Sequence, residues 1–115
     1  MENNDFWGIH KHHIIFRSQG GLDFDLNMIE LTQEEHEGNH GPHQSRARDL
    51  ELKRGLQEQL SELFPENETF DIDTISRKLG RTRRYFEKYF KKVPNMAGMY
   101  PGFEVVKRLM GGRMY

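Results

Sequence analysis

Along the first third of the chain, apolar residues come in short clusters separated by polar turn formers, not at helical spacing. "GIHKHHIIF" (8–16) is rich in β-forming residues, "SQGGLDFD" (18–25) supplies turn residues, and "LNMIEL" (26–31) alternates Leu26 and Met28, with Ile29 a further candidate for burial. That pattern predicts two strands joined by a glycine-containing loop. Thr32 then stands where a helix N-cap belongs and Glu35 follows three residues on, a capping-box spacing that predicts a short helix ending at Gly41-Pro42.

The remainder reads as helical. "SRARDLELKRGLQEQLSELF" (45–64) sets Leu52, Leu56, Leu60 and Leu63 at helical spacing with charges between them and Pro65 just beyond. Such a helix must bury its leucine stripe, and core packing is favoured over a partner surface because so small a module has little else to close its core. "FDIDTISRKLGRTRRYFEKYFKKV" (70–93) predicts two short helices around Gly80. Asp71 or Asp73 caps the first, which turns Ile72, Ile75 and Leu79 inward; Thr82 caps the second, which turns in Phe86, Tyr89 and Phe90. Arg81, Arg83, Arg84, Lys88, Lys91 and Lys92 are left on the outer face. "NMAGMYPGFEVVKRLMGGRMY" (95–115) predicts a loop, a short helix from about Phe103 to Met110 and a frayed glycine end.

The chain has 115 residues, the size of one domain or a small domain with an appendage, and no cysteine. Disulfides and thiolate zinc sites are thereby excluded, so any metal is held by His, Asp or Glu. "MENNDFWGIH" lacks the apolar core of a signal peptide, and no apolar run approaches the roughly 20 residues of a membrane span. A cytoplasmic protein that makes no use of a membrane is the expectation. The net charge of −1 conceals an asymmetry: residues 75–115 carry eleven Lys and Arg against Glu87 and Glu104, whereas residues 1–74 carry six against sixteen acids. The C-terminal third is a candidate polyanion-binding face, with a solvated basic surface as the plainer alternative.

All six histidines, His10, His12, His13, His36, His40 and His43, fall between residues 10 and 43. On a helix opened by Thr32, His36 and His40 lie one turn apart on one face and can point at a single ion, with His12 on the first strand able to supply a third nitrogen. Three neutral nitrogens with open positions suit a catalytic divalent metal better than a closed structural site. In extended backbone His13 points away from His12 and stays available for proton transfer.

His12-His13, Gly20-Gly21, Asn27, His36 and His40, in that order and with strand, turn, strand and capped helix around them, closely resemble the HNH nuclease motif in its ββα-metal fold. The likeness is closest to the nuclease domains of bacterial colicins and pyocins, which also read His-His, Ser-Gln, a glycine pair, an Asn and two His one helical turn apart. It covers residues 10–40. The resemblance implies that His12, His36 and His40 hold one divalent ion (Mg, Mn, Ni or Zn), that His13 is the general base, and that Asn27 braces the loop and so orients the base. Many HNH proteins add four zinc-binding cysteines; Thr32 and Glu35 stand where the pair near the last His would be, so the leucine helix has to do that bracing. The chemistry suits these residue types independently, because an imidazole titrating near pH 6.5 in water can accept a proton from an attacking water at neutral pH. Arg17 either contacts a phosphate or is a solvated strand end, His10 either orients His12 or, as is favoured, lies at the surface, and His43 is not expected to be a ligand.

"TISRKLGRTRRYFEKYFKKV" resembles a helix-turn-helix, and together with "MYPGFEVVKRLM" it is similar to small winged excisionase-like domains, in which a hairpin or wing precedes a last helix. That likeness makes the helix from Thr82 the recognition helix, with Arg81, Arg83, Arg84 and Lys88 toward DNA; a three-helix packing cap whose charges merely face water is the alternative. The expected architecture is α+β: a ββα-metal module over 1–48, a linking amphipathic helix over 49–65 and a mainly helical DNA-binding element over 66–115. Free-standing cysteine-free HNH proteins of this size resemble those of phages and prophages, some of which nick DNA and some of which act beside the terminase in genome packaging. The partners so implied are DNA, a packaging protein such as terminase, and a second copy of the chain where both strands are to be cut. A catalytically inactive DNA-binding regulator, a bacterial toxin nuclease and a non-enzymatic histidine–metal scaffold are the rival readings.

Overall fold

The computed structural model describes residues 9–32 and 45–115. Strands β1 (Ile9–His13) and β2 (Met28–Thr32) pair antiparallel, with His12 opposite Ile29 and His13 opposite Met28. The first strand is shorter than its apolar run because a side chain interrupts the ladder. Ile14 still donates its N–H to the Asn27 carbonyl at 2.8 Å, but the Ile15 N–H goes to Asn27 Oδ1, also at 2.8 Å. The chain bends there, and Ile14 and Ile15 enter the core instead of extending the hairpin. Two short 3-10 turns, Arg17–Gln19 and Asp25–Asn27, carry the loop back to β2. Gly21 is required between them, because a Cβ at that position would collide with the carbonyl oxygens of Ile15 and Phe16. Thr32 is the last residue of β2, and the helix expected to begin there falls on residues 33–44, outside the described residues.

Helix α1 (Arg46–Leu63) starts at Ser45, whose hydroxyl accepts the Arg48 N–H at 3.2 Å, and stops before Phe64 and Pro65. Leu56 and Leu60 are fully buried, and Leu52 and Leu63 pack against the same cluster at its margin, so the leucine stripe faces the core. Lys53 is buried as well, which the polar pattern did not predict. Its ammonium meets Asp49 at 2.7 Å and lies 4.7 Å from the Phe16 ring centre and 5.4 Å from that of Tyr115.

Helix α2 (Ile72–Leu79) is capped by Asp71, not Asp73: the Asp71 carboxylate accepts the Thr74 N–H at 2.8 Å, and that contact holds its pKa below the ordinary value. Gly80, at φ 73°, ends the helix in the left-handed conformation, and Thr82 opens α3 (Arg83–Tyr89) by accepting the Tyr85 N–H. Helix α4 (Gly102–Leu109) begins and ends one residue earlier than the pattern predicts. Its early start follows from a second small antiparallel sheet, in which β3 (Thr69–Phe70) pairs with β4 (Tyr100–Pro101) and hands the chain straight into α4; a strand before the last helix is what the winged likeness implied, but its pairing with residues 69–70 was not expected.

The described fold is thus α+β, with four helices and two small sheets. One buried cluster joins Ile15, Leu22 and Phe24 of the hairpin loop, Leu56 and Leu60 of α1, Ile75 and Phe86 of α2 and α3, and Val105, Leu109 and Met110 near the end of the chain. Each such side chain contributes roughly 1.5–3 kcal/mol on burial. Removing any one segment would therefore expose a large share of the core of the others, and the C-terminal element is part of what holds the hairpin loop. No helix among the described residues is long and apolar enough to cross a membrane.

Candidate active site and nucleic-acid interface

Alternation along β1 sends adjacent histidines to different surroundings. His12 is 4% exposed, with its ring edge-on to Phe16 at 5.3 Å between centres. His13 is half-buried and reaches the loop, where its Nε2 lies 2.7 Å from Asp23 Oδ1. The other Asp23 oxygen accepts from the Arg17 guanidinium at 2.8 Å. The His13 hydrogen bond, assisted by the Arg17 charge and opposed by partial burial, holds the Asp23 carboxyl below the usual carboxylate range. The Asp23 backbone N–H donates to the Tyr85 hydroxyl of α3 at 2.7 Å. A carboxylate between an imidazole and a guanidinium is therefore anchored through its own backbone to the helical half.

Asn27 is fully buried and makes three side-chain hydrogen bonds. Its Oδ1 accepts from Ile15 N–H, and its Nδ2 donates to the carbonyls of Leu22 at 2.8 Å and Ile15 at 3.2 Å. These bonds join the outgoing and returning limbs of the loop just beyond His12 and His13. The three side-chain hydrogen bonds of Asn27 all go to main-chain groups, so they act on His13 through the backbone they hold.

Of the expected ligand set, only His12 belongs to the described residues; His36 and His40, like His43, lie outside them. Among the described residues no group of three or more His, Asp or Glu could hold a metal ion. Of that set the described part holds the His12 imidazole alone, on a paired strand and edge-on to Phe16.

The cationic residues of α2, α3 and the turn between them are all at the surface but not equally available. Arg83 donates from Nε to Glu87 at 2.8 Å and approaches both Asp73 oxygens at 3.4 Å, and these partners, Glu87 first, raise its pKa. Its guanidinium is already neutralised, which weakens the expectation that it reaches DNA. Arg81 stacks on the Tyr85 ring at 3.9 Å, and Lys88 lies 5.4 Å from the Tyr89 ring centre, leaving both charges at the surface. Arg84 is exposed and makes no ion pair among the described residues. Arg17 is 71% exposed although tied to Asp23.

Arg108, which no pattern singled out, is half-buried. It donates from Nε to the Tyr89 carbonyl at 2.8 Å and from its terminal nitrogen to the Gly20 carbonyl at 3.1 Å, while burial lowers its pKa. It clamps the end of α3 to the hairpin loop, as Tyr85 does near the start of α3. Asp23 also escaped the sequence reading. Its one signal was its place on the returning limb of the loop, a place that Asp25 shares.

No family model, no curated protein and no solved structure matches the chain.

Proposed function

We propose that the chain is a metal-dependent DNA endonuclease of the ββα-metal type. The observation that carries the reading is the Asn27-braced hairpin, which presents His12 and His13 to different surroundings and sets Asp23 and Arg17 beside His13. His13 accepts the proton of the attacking water, Asn27 keeps the loop in register, and Arg17 meets a phosphate oxygen. A divalent ion held by His12, His36 and His40 would supply stabilisation of the charge building on the phosphoryl oxygens and the departing 3′ oxygen. Arg81, Arg84 and Lys88 hold the duplex through its phosphates, which positions the protein without specifying sequence. One such site cuts one strand per encounter, so a double-strand cut needs a second copy or a second visit. The size and motif favour a phage or prophage setting.

Incubation of supercoiled plasmid with Mg²⁺, Mn²⁺, Ni²⁺ or Zn²⁺ tests the reading. Wild type is expected to yield open circles, His13→Ala to abolish nicking while leaving metal binding nearly intact, and His40→Ala to weaken metal binding and nicking together. No cleavage with any metal would leave a DNA-binding regulator, a reading that the α2–Gly80–α3 arrangement supports by itself.

A further inference from the structure

The contact between His13 and Asp23 bears on a question that the nuclease reading leaves open, namely which of the two His13 nitrogens would take the proton. Asp23 is ionised at neutral pH and has no hydrogen to donate. The hydrogen in the 2.7 Å contact therefore sits on His13 Nε2. In a neutral imidazole with Nε2–H, Nδ1 carries the lone pair.

We propose that Asp23 is a positioning residue for His13, fixing the Nε2–H tautomer so that Nδ1 is the atom that takes the proton from water. The inference rests on the nuclease reading above for its catalytic meaning, and on geometry alone for the pair itself. The water's proton passes to Nδ1, its oxygen bonds to phosphorus, and the bond from phosphorus to the 3′ oxygen breaks, the leaving oxygen being protonated from solvent. The imidazolium so formed faces the Asp23 carboxylate. Three contacts keep that carboxylate in place: His13 on one oxygen, Arg17 on the other, and Tyr85 on the backbone N–H. Because Tyr85 belongs to the basic helix and carries Arg81 on its ring, the element that would grip DNA also carries the support of the base.

The test combines long-range ¹H–¹⁵N spectra of the full-length labelled protein at pH 7.5 with plasmid nicking, the His13 signals being assigned by their loss in His13→Gln. Wild type should show His13 with a protonated, exchange-protected Nε2 and an unprotonated Nδ1. Asp23→Ala should lose that protection and nick roughly 10- to 100-fold more slowly, the range seen when a metal-bound His loses its hydrogen-bonded partner, while Asp23→Glu recovers part of the rate. Should Asp23→Ala not fold, Asp23→Asn, which keeps the shape without the charge, is read instead and should also slow nicking. Wild-type His13 with its hydrogen on Nδ1, or a folded Asp23→Ala that nicks at the wild-type rate, would overturn the proposal. A protected Nε2–H in a wild type that fails to nick with every metal tried would instead sink the nuclease reading, and the catalytic meaning of the pair with it, while upholding the pair.

Discussion

Asn27, in the β1–β2 hairpin, has no solvent exposure and spends its amide on main-chain groups of both limbs of the loop, whereas in the α2–α3 pair every guanidinium lies at the surface and meets exposed carboxylates, a hydroxyl, an aromatic face or water. The energetic stakes differ accordingly. A buried donor or acceptor deprived of its partner costs about 1–3 kcal/mol, while an exposed ion pair is worth about 0–1 kcal/mol. The hairpin loop has one arrangement that satisfies its buried polar groups; the basic surface has many arrangements of similar energy. The first is how a protein holds reacting atoms in place, and the second suits a polyanion whose phosphates repeat along its length.

The largest expected effect comes from breaking the hairpin's side of that contrast. Asn27→Ala leaves the Ile15 N–H without its acceptor and the Leu22 and Ile15 carbonyls without their donor. Denaturant unfolding should show a loss of about 3 kcal/mol or more, and nicking should fall below detection even where the variant is still folded. A loss under about 1 kcal/mol would mean that water replaces the amide easily, and the hairpin would then be no more exacting than the basic surface.

The basic surface should answer to salt before it answers to denaturant. Arg84→Gln and Lys88→Gln are each expected to flatten the slope of log affinity against log salt by about 0.9 for duplex DNA, with stability within about 0.5 kcal/mol of wild type. Arg83→Gln should flatten it by less than half as much, since Glu87 and Asp73 already neutralise that charge. Titrations at several salt concentrations check all three. Equal slopes for Arg83 and Arg84 variants would show that DNA displaces both carboxylates from Arg83, and no change for any of them would remove α3 from the interface.

What the sequence made legible divides along the same line. Helices with strong local signals were readable: Ser45 and the leucine spacing for α1, Gly80 and Thr82 for the turn between α2 and α3. These are contacts between near neighbours in the chain. The partners of His13 and of Asp23's backbone were not readable in this way, because Asp23 is ten residues from His13 and Tyr85 is sixty-two residues from Asp23, and no periodicity relates such positions. The β3–β4 sheet was foreshadowed only by the winged likeness, since strands of two residues are too short for any alternation to show. Lys53 misled for a related reason: a lysine reads as a solvated face until two rings and an aspartate from other parts of the fold enclose it.

The smallest effect tests whether the helical half tolerates change as freely as its surface suggests. Met96 and Met99 pair across a tight turn whose central residues, Ala97 at φ 52° and Gly98 at φ 84°, are both left-handed, the turn that best fits a hairpin's twist. Gly98 adopts that conformation readily; Ala97 does so at a cost of about 1–2 kcal/mol. Ala97→Gly removes that strain and gives back about 0.5–1 kcal/mol through the greater freedom of the unfolded chain, so a net gain of about 0.5 kcal/mol is expected in unfolding midpoints, whereas a β-branched Val should lower them. Ala97 borders a surface groove with Arg83 and Lys91. If its replacement by Gly changes duplex affinity more than about twofold, or 0.4 kcal/mol, the conformation of this turn matters to DNA, and exacting geometry extends beyond the hairpin that holds His13. If only stability moves, the turn is a strained connection, and the demand for fixed geometry stays with the loop around Asn27.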